Sequence, residues 1–414
     1  MRILITTDLY IPTINGVVTS VLNLEKELKE QGHEVKVLTV SDEFKAKTDG
    51  IHYYMKSIPS GIYPEVRIPF ANVDTYVNEL IAWHPDIVHS QCEFFSFYYA
   101  KKIAKATGAA LVHTYHTLYE QYTEYIPLGK VIERNVLETW IRRRLRNVEC
   151  IIAPTRKVER TLRGYGIWGD INVIPTGIRL DKFKEQVSEE KLVACRAALG
   201  ISVEKKILLS LGRLGFEKNT TELLQGFAKL LEKRSDLVFL IVGDGPARQK
   251  LEEKTRELGI EEQVKFAGMV KPEEVGMYYQ MGDVFVCAST SETQGLTYIE
   301  ALANGLPLVC RKDECLNGVL QAGENGYAYE TMEEFAGYIE AVLQVQKEMR
   351  IQKSRASAYP FSTEVFGKNV ENVYRKIQRR GVFEEDESIT ICEKQRYGVK
   401  KRSWTSHGYA RRIS

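Results

Sequence analysis

Two charged pairs in the second half of the chain have the residue types and spacing to hold a phosphorylated sugar derivative. Arg213 and Lys218 lie in Gly212-Arg213-Leu214-Gly215-Phe216-Glu217-Lys218-Asn219, between an apolar run (Lys206 to Leu211) and an amphipathic one (Thr220 to Lys233). Arginine offers phosphate a planar fork of donors, and lysine a mobile point charge. Glu292 and Glu300 lie in Ser291-Glu292-Thr293-Gln294-Gly295-Leu296-Thr297-Tyr298-Ile299-Glu300. Asp283 to Cys287 reads as a buried strand before this stretch, and Tyr298 to Asn304 as a helix within it, stopped by Gly305 and Pro307. Gln294, Gly295 and Leu296 then open a helix, whose unpaired N–H groups at the positive end of the dipole suit an anion. Glu300 follows Glu292 by roughly two turns and lies deeper in the same crevice. Each carboxylate can take a pair of sugar hydroxyls. The bland alternative makes Glu292 a helix-terminal charge and Glu300 a solvated helix residue.

Both corners need a strand in front and a helix behind, and the chain supplies that alternation twice. In the first half, strands are expected at residues 2–7, 34–40, 86–90, 109–115, 150–154 and 171–174, with a helix from about Val17 to Gln31. The loop Asp8 to Gly16 between the first strand and helix ends in Asn15-Gly16, which permits close backbone approach to a ligand, or forms a plain tight turn. It carries no GxGxxG, so a dinucleotide fingerprint is excluded. In the second half, strands are expected at 206–211, 237–242, 263–267, 283–287 and 306–310. Val242-Gly-Asp-Gly-Pro246 is a further strand end open to either a tight turn or a ligand contact. Expected bounds are a first α/β domain over 1–180, a linker over 181–204, a second α/β domain over 205–360, a last helix over 361–380 and a mobile tail over 381–414. The tail combines an acidic cluster at Glu384–Glu387 with seven Lys/Arg and no acid from Lys394 onward.

Together, and in this order, the two corner motifs resemble the family 4 retaining glycosyltransferases, over about residues 1–380. The resemblance implies a GT-B fold, two Rossmann-like α/β domains facing each other across a cleft, with the last helix crossing back onto the first domain. It implies that Arg213 and Lys218 bind the diphosphate, Glu292 the transferred sugar and Glu300 the ribose. Asn15, Gly16, Gln294, Gly295 and Leu296 then complete the donor site. His116, in the His- and Tyr-rich stretch His113 to Pro127, matches the position that contacts the sugar near its anomeric carbon. His113 is expected to be structural, and the tyrosines to line the acceptor side. Tyr10 to Ser20, Thr114 to Tyr119 and Arg311-Lys-Asp-Glu-Cys-Leu316 are similar to bacterial α-glucosyldiacylglycerol synthases. That similarity implies a hexose moved from a nucleotide diphosphate, UDP-glucose foremost, to a membrane lipid such as 1,2-diacylglycerol. Other acceptors in the same class are phosphatidylinositol, a polyprenyl carrier or a soluble sugar. A non-catalytic sugar-nucleotide or lipid-surface binding protein is disfavoured by the intact charged set.

Neither domain contains Asp-x-Asp, so no metal or other cofactor is expected and Arg213 and Lys218 take the role of Mg²⁺. Lys130 to Arg146 has six basic and two acidic residues around apolar positions at helical spacing. Arg134, Trp140, Arg142, Arg143, Arg144 and Arg146 are expected to meet an anionic membrane surface, the alternative being an ordinary domain helix with arginines in water. A formal net charge of +2 over 414 residues makes no case for nucleic acid. Seven scattered cysteines without CxxC fit a reducing compartment, and no apolar run reaches membrane-span length. The expected location is cytoplasmic, peripheral on the inner face of the cell membrane.

Overall fold

The structure is a computed structural model that describes residues 1–13, 15–60, 67–69, 74–119, 134–183 and 185–397. In the first domain the strands are β1 (Arg2–Thr6), β2 (Glu34–Val40), β3 (Lys47–Thr48), β4 (His52–Met55), β5 (Ser57–Pro59), β6 (Arg67–Pro69), β7 (Ile87–Ser90), β8 (Ala110–Thr114), β9 (Cys150–Ala153) and β10 (Ile171–Val173). Eight of them form one sheet in the order β10-β9-β8-β7-β1-β2-β4-β3, parallel but for β3; β5 and β6 pair separately. The second domain has β11 (Lys206–Leu211), β12 (Leu237–Val242), β13 (Val264–Gly268), β14 (Val284–Cys287), β15 (Leu308–Arg311) and β16 (Gly326–Tyr329), all parallel, in the order β13-β12-β11-β14-β15-β16. Helices cover both faces of each sheet, so central strands such as β12 are buried throughout and read as unbroken apolar runs.

Both sheets reverse direction in the middle, between β1 and β7 in the first and between β11 and β14 in the second. At such a switch point neighbouring loops diverge and leave a crevice at the carboxyl ends of the strands. The four loops concerned are those after β1, β7, β11 and β14. The last two are the charged corners singled out above.

Several expectations are corrected. The strands β3 to β6 escaped detection because they are only two to four residues long, too short for a strand period to show. The stretch 181–204 is no open linker: it holds a 3₁₀ turn (Leu180–Phe183) and the helix Glu189–Ala198, whose low amphipathicity and lack of fully buried residues hid it. Two helices, Met332–Gln344 and Lys347–Ala358, lie between the second sheet and the last helix. The last helix runs Thr363–Tyr397, past the end expected at 380; 398–414 lie outside the described residues. Its start does return to the first domain. Ile178 N–H donates to Phe361 O (2.8 Å), and a Cβ on Gly367 would stand 2.6 Å from Glu27 Cβ on the helix Gly16–Glu30.

Candidate functional site

The loops after β1, β11 and β14, with His116 and Thr176 from the first domain, line a cleft of about 520 Å³ between the two sheets. After β11 the chain turns through Gly212 to Asn219 and starts the helix Thr220–Leu231. The 242–246 turn buttresses this corner: Leu214 N–H donates to Asp244 O (2.9 Å) and Ala247 N–H to Leu214 O (2.9 Å). A Cβ on Gly243 would lie 2.0 Å from Gly212 O, so glycine there lets the two backbones touch. The glycine-rich strand end therefore supports the Arg213–Lys218 corner from behind.

Each cation of the corner is held by a carboxylate. Arg213 donates to Glu217, four residues on, and Lys218 Nζ lies 2.5 Å from Glu292 Oε1 across the crevice. Glu217 was inside the motif but given no role, because only the path of the turn between Gly212 and Lys218 brings it against Arg213. After β14, Gly295 takes φ 73° and caps the helix Leu296–Ala303. A Cβ there would also meet the Tyr298 ring at 2.4 Å, so only glycine fits.

Glu300 lies in the cleft wall, where Tyr279 Oη donates to its Oε2 (2.9 Å). Burial pushes its carboxyl up to about 7, against the Tyr279 hydrogen bond and the nearby Lys182 ammonium, which lower it. His116 faces the cleft from the first domain, with Nε2 2.8 Å from Gln91 Oε1. Burial, and secondarily His113, drives its pKa down to about 3, so the ring is neutral at working pH. His113 is buried in β8 and pairs with Glu93 (3.1 Å), a structural residue as expected.

Other expected site residues have additional or different work. Asn15 lines the cleft in extended conformation (φ −158°) as the N-cap of Gly16–Glu30, accepting from Val18 N–H (3.0 Å), so no unusual dihedral is involved. Gly16 and Leu296 meet across the cleft, where a Cβ on Gly16 would lie 3.6 Å from Leu296 Cδ1. Both ends of the Gln294 amide engage the Thr176 backbone, at 2.7 and 2.9 Å, tying the two domains together. Thr155 Oγ1 donates to Thr293 O (2.7 Å) beside it. Lys157 reaches Asp313 (2.7 Å) and Thr290 O (2.7 Å), and Arg160 reaches Glu314 (2.8 Å). The Arg311 to Leu316 segment thus supplies the acids of an interdomain clasp that sequence reading missed.

The basic helix is Arg134–Arg144, and its apolar stripe is split. Ile141 and Leu145 enter the core, whereas Val136 (59% exposed) and Trp140 (36%) stay exposed, as do Phe94 (39%) and Tyr98 (58%) of the neighbouring segment. Trp140 packs on Phe94 and Tyr119 at ring distances of 5.7 and 6.3 Å. Arg142, Arg143 and Arg146 are exposed. Arg144 is not available to a membrane: it donates to Glu93 O (2.6 Å) and Phe94 O and stacks on Phe97 (5.4 Å), and burial lowers its pKa. Tyr115 is core and Tyr119 donates to Glu93, so neither lines the cleft. The Arg134 side chain and residues 120–133, including the other tyrosines, lie outside what is described. Among the described residues, no helix is long and apolar enough to cross a membrane.

Comparison with known proteins accords with this geometry. The family model for Glycosyltransferase Family 4 matches residues 14–182, and that for Glycosyl transferases group 1 matches 194–359. The α-monoglucosyldiacylglycerol synthase of Streptococcus pneumoniae is 35% identical over 376 residues, covering 90% of this chain and 85% of that protein. The enzyme of the same name from Acholeplasma laidlawii is 32% identical, covering 90% and 96%. Among solved structures, Anabaena HepE in complex with UDP superposes with a TM-score of 0.70 at 17% identity, over 91% of this chain and 100% of that one. That likeness concerns the fold.

Proposed function

From the premise that this chain belongs to the family 4 and group 1 glycosyltransferases, a two-domain GT-B enzyme, we propose that it transfers glucose from UDP-glucose to 1,2-diacylglycerol. The observation that carries this reading is the convergence of Arg213, Lys218, Glu292 and Glu300 with His116 on one cleft between two switch points. The two relatives named above, both called α-monoglucosyldiacylglycerol synthases, support the donor sugar and the acceptor.

In this reading Glu300 accepts hydrogen bonds from the ribose diol, and the diphosphate lies against Arg213, Lys218 and the start of Leu296–Ala303. The two cations stabilise the charge that grows on the leaving phosphate as the anomeric C–O bond breaks, each charge-assisted bond being worth ~1.5–3 kcal/mol. They do so without a metal. Before the donor arrives, Glu217 and Glu292 keep both cations neutralised and in place. The incoming diphosphate takes Lys218 over and frees Glu292 to hold hydroxyls of the glucose. The acceptor oxygen bonds to the anomeric carbon from the face the phosphate leaves. Its proton passes to the departing phosphate oxygen, so configuration is retained.

Diacylglycerol lies in a bilayer, and the exposed Phe94–Trp140 ring pair, on a segment that also exposes Arg142, Arg143 and Arg146, suits an anionic membrane surface. Three arginines at roughly 1 kcal/mol each give only millimolar binding. Insertion of the aromatic side chains, up to about 1.5–3 kcal/mol apiece, supplies the rest. The protein is then peripheral on the inner leaflet.

A donor-by-acceptor screen with vesicles tests the proposal. UDP-glucose with diacylglycerol should give the highest turnover, EDTA should leave it unchanged, and Arg213→Ala or Lys218→Ala should each lower it at least about tenfold. A preference for soluble sugars would end the lipid reading, and loss of activity in EDTA the metal-free one.

A further inference from the structure

Gln91 lies where the first sheet reverses. It follows β7 directly, its backbone N–H donates to Thr6 O at the end of β1 (2.8 Å), and it is 1% exposed. Its side chain therefore cannot be serving solvent. The amide oxygen stands 2.8 Å from His116 Nε2, and the amide nitrogen has no partner among the described residues. The imidazole is thus the one partner that the buried Gln91 side-chain amide has among the described residues.

His116 is held neutral by burial and by its neighbours. The titratable and charged groups around it are His113, paired with Glu93, and His89, paired with Thr114 (2.7 Å), from the strands behind, with Lys218, Arg213 and Glu292 across the cleft. A neutral imidazole carries one N–H. An amide oxygen can only accept, so the hydrogen sits on Nε2 and the lone pair on Nδ1. His116 is a lining residue of the cleft and its Nε2 is taken up by Gln91, so the ring nitrogen left with a lone pair for a ligand is Nδ1.

We propose that Gln91 is a positioning residue that fixes the His116 tautomer, so that Nδ1 accepts a hydrogen bond from a hydroxyl of the transferred sugar. This rests on the reading of the cleft as a sugar-nucleotide site. It explains why a residue remote from the donor is buried at the switch point, and it makes the cleft select a sugar carrying a hydroxyl at that place.

The test uses the full-length protein with UDP-glucose and diacylglycerol vesicles, and ¹⁵N-labelled histidine for the ring. The ring ¹⁵N shifts of the ligand-free protein should show hydrogen on Nε2 of His116; hydrogen on Nδ1 overturns the proposal whatever the substrate proves to be. Gln91→Leu removes the acceptor and should lower kcat at least about fivefold at every pH, the worth of one hydrogen bond, with UDP affinity unchanged. Gln91→Glu keeps the acceptor but places a carboxylate on Nε2–H, which raises the His116 pKa. Its rate should approach wild type at pH 8–9 and fall steeply toward pH 6, where wild type is flat in this respect. Equal, pH-independent losses in both variants, or a Gln91→Leu rate within twofold of wild type, would refute the positioning role. If wild type turns over no UDP-glucose, the functional reading fails, while the ¹⁵N result still decides the tautomer.

Discussion

Replacing Glu300 by glutamine should make the ligand-free protein more stable at neutral and alkaline pH while weakening its grip on the nucleotide. The carboxyl is raised from 4.5 to about 7, chiefly by burial. The folded protein therefore holds this proton more tightly than the unfolded chain does. The resulting stabilisation is complete below pH 4.5 and is lost as pH rises through 7. Between those limits the difference amounts to about 3 kcal/mol, at ~1.4 kcal/mol per tenfold in proton affinity. Glutamine fits the same space, can still accept from Tyr279, and carries no charge to desolvate. Melting curves between pH 5 and 8.5 should therefore diverge, with the variant ahead by up to a few degrees at the alkaline end. Calorimetry at pH 8 should show uridine and UDP bound more weakly by the variant, about tenfold or more if one charge-assisted bond to the diol is lost. In the wild type, uridine affinity should also fall as pH drops below about 7, because the diol then meets a protonated carboxyl. Uridine is the cleaner probe here, since the terminal phosphate of UDP titrates in the same range. Parallel melting profiles, or unchanged uridine binding at pH 8, would refute the reasoning.

The interdomain clasp and the exposed Phe94–Trp140 pair give further expectations. Lys157→Met leaves Asp313, only 10% exposed at its side chain, without its cation; breaking one side of such a pair costs about 2–5 kcal/mol. The domains should then separate more readily, seen as a larger radius in solution scattering and more UDP-glucose hydrolysed per transfer; unchanged values for both would remove the clasp from the cycle. Trp140→Ser with Phe94→Ser should lower sedimentation with anionic vesicles at least tenfold, and Arg142, Arg143 and Arg146 changed to Ser should make what remains insensitive to salt. Arg144→Ser, by contrast, should lower the melting temperature, because that side chain holds the Glu93–Phe94 backbone; vesicle binding equal to wild type in the Trp140 and Phe94 variant would move the membrane contact elsewhere.

What the sequence by itself determined was local. Buried parallel strands are apolar runs, and their helices begin at glycine and polar corners, so β11, β12 and β14 and the loops behind them were legible from residue order. So was the placing of Arg213, Lys218, Glu292 and Glu300 at two such corners, because within a corner spacing fixes geometry. The tertiary structure decided every pairing between distant segments. Gln294 reads as one more residue at a helix start, yet its partner is the Thr176 backbone, 118 residues away. Asp313 and Glu314 look like surface charges until the helix Arg156–Gly164 brings Lys157 and Arg160 against them. Arg144 stands in a run of three arginines, and only the packing of its helix on Phe97 separates it from its neighbours. Gln91 and His116 are joined because β7 and β8 are neighbours in the sheet, a fact of strand order that no local pattern carries. Helix and strand signals come from interactions within a few residues. The partners that neutralise, orient and lock the site come from closing long loops of chain around a common core, so they became visible only when the two sheets were built.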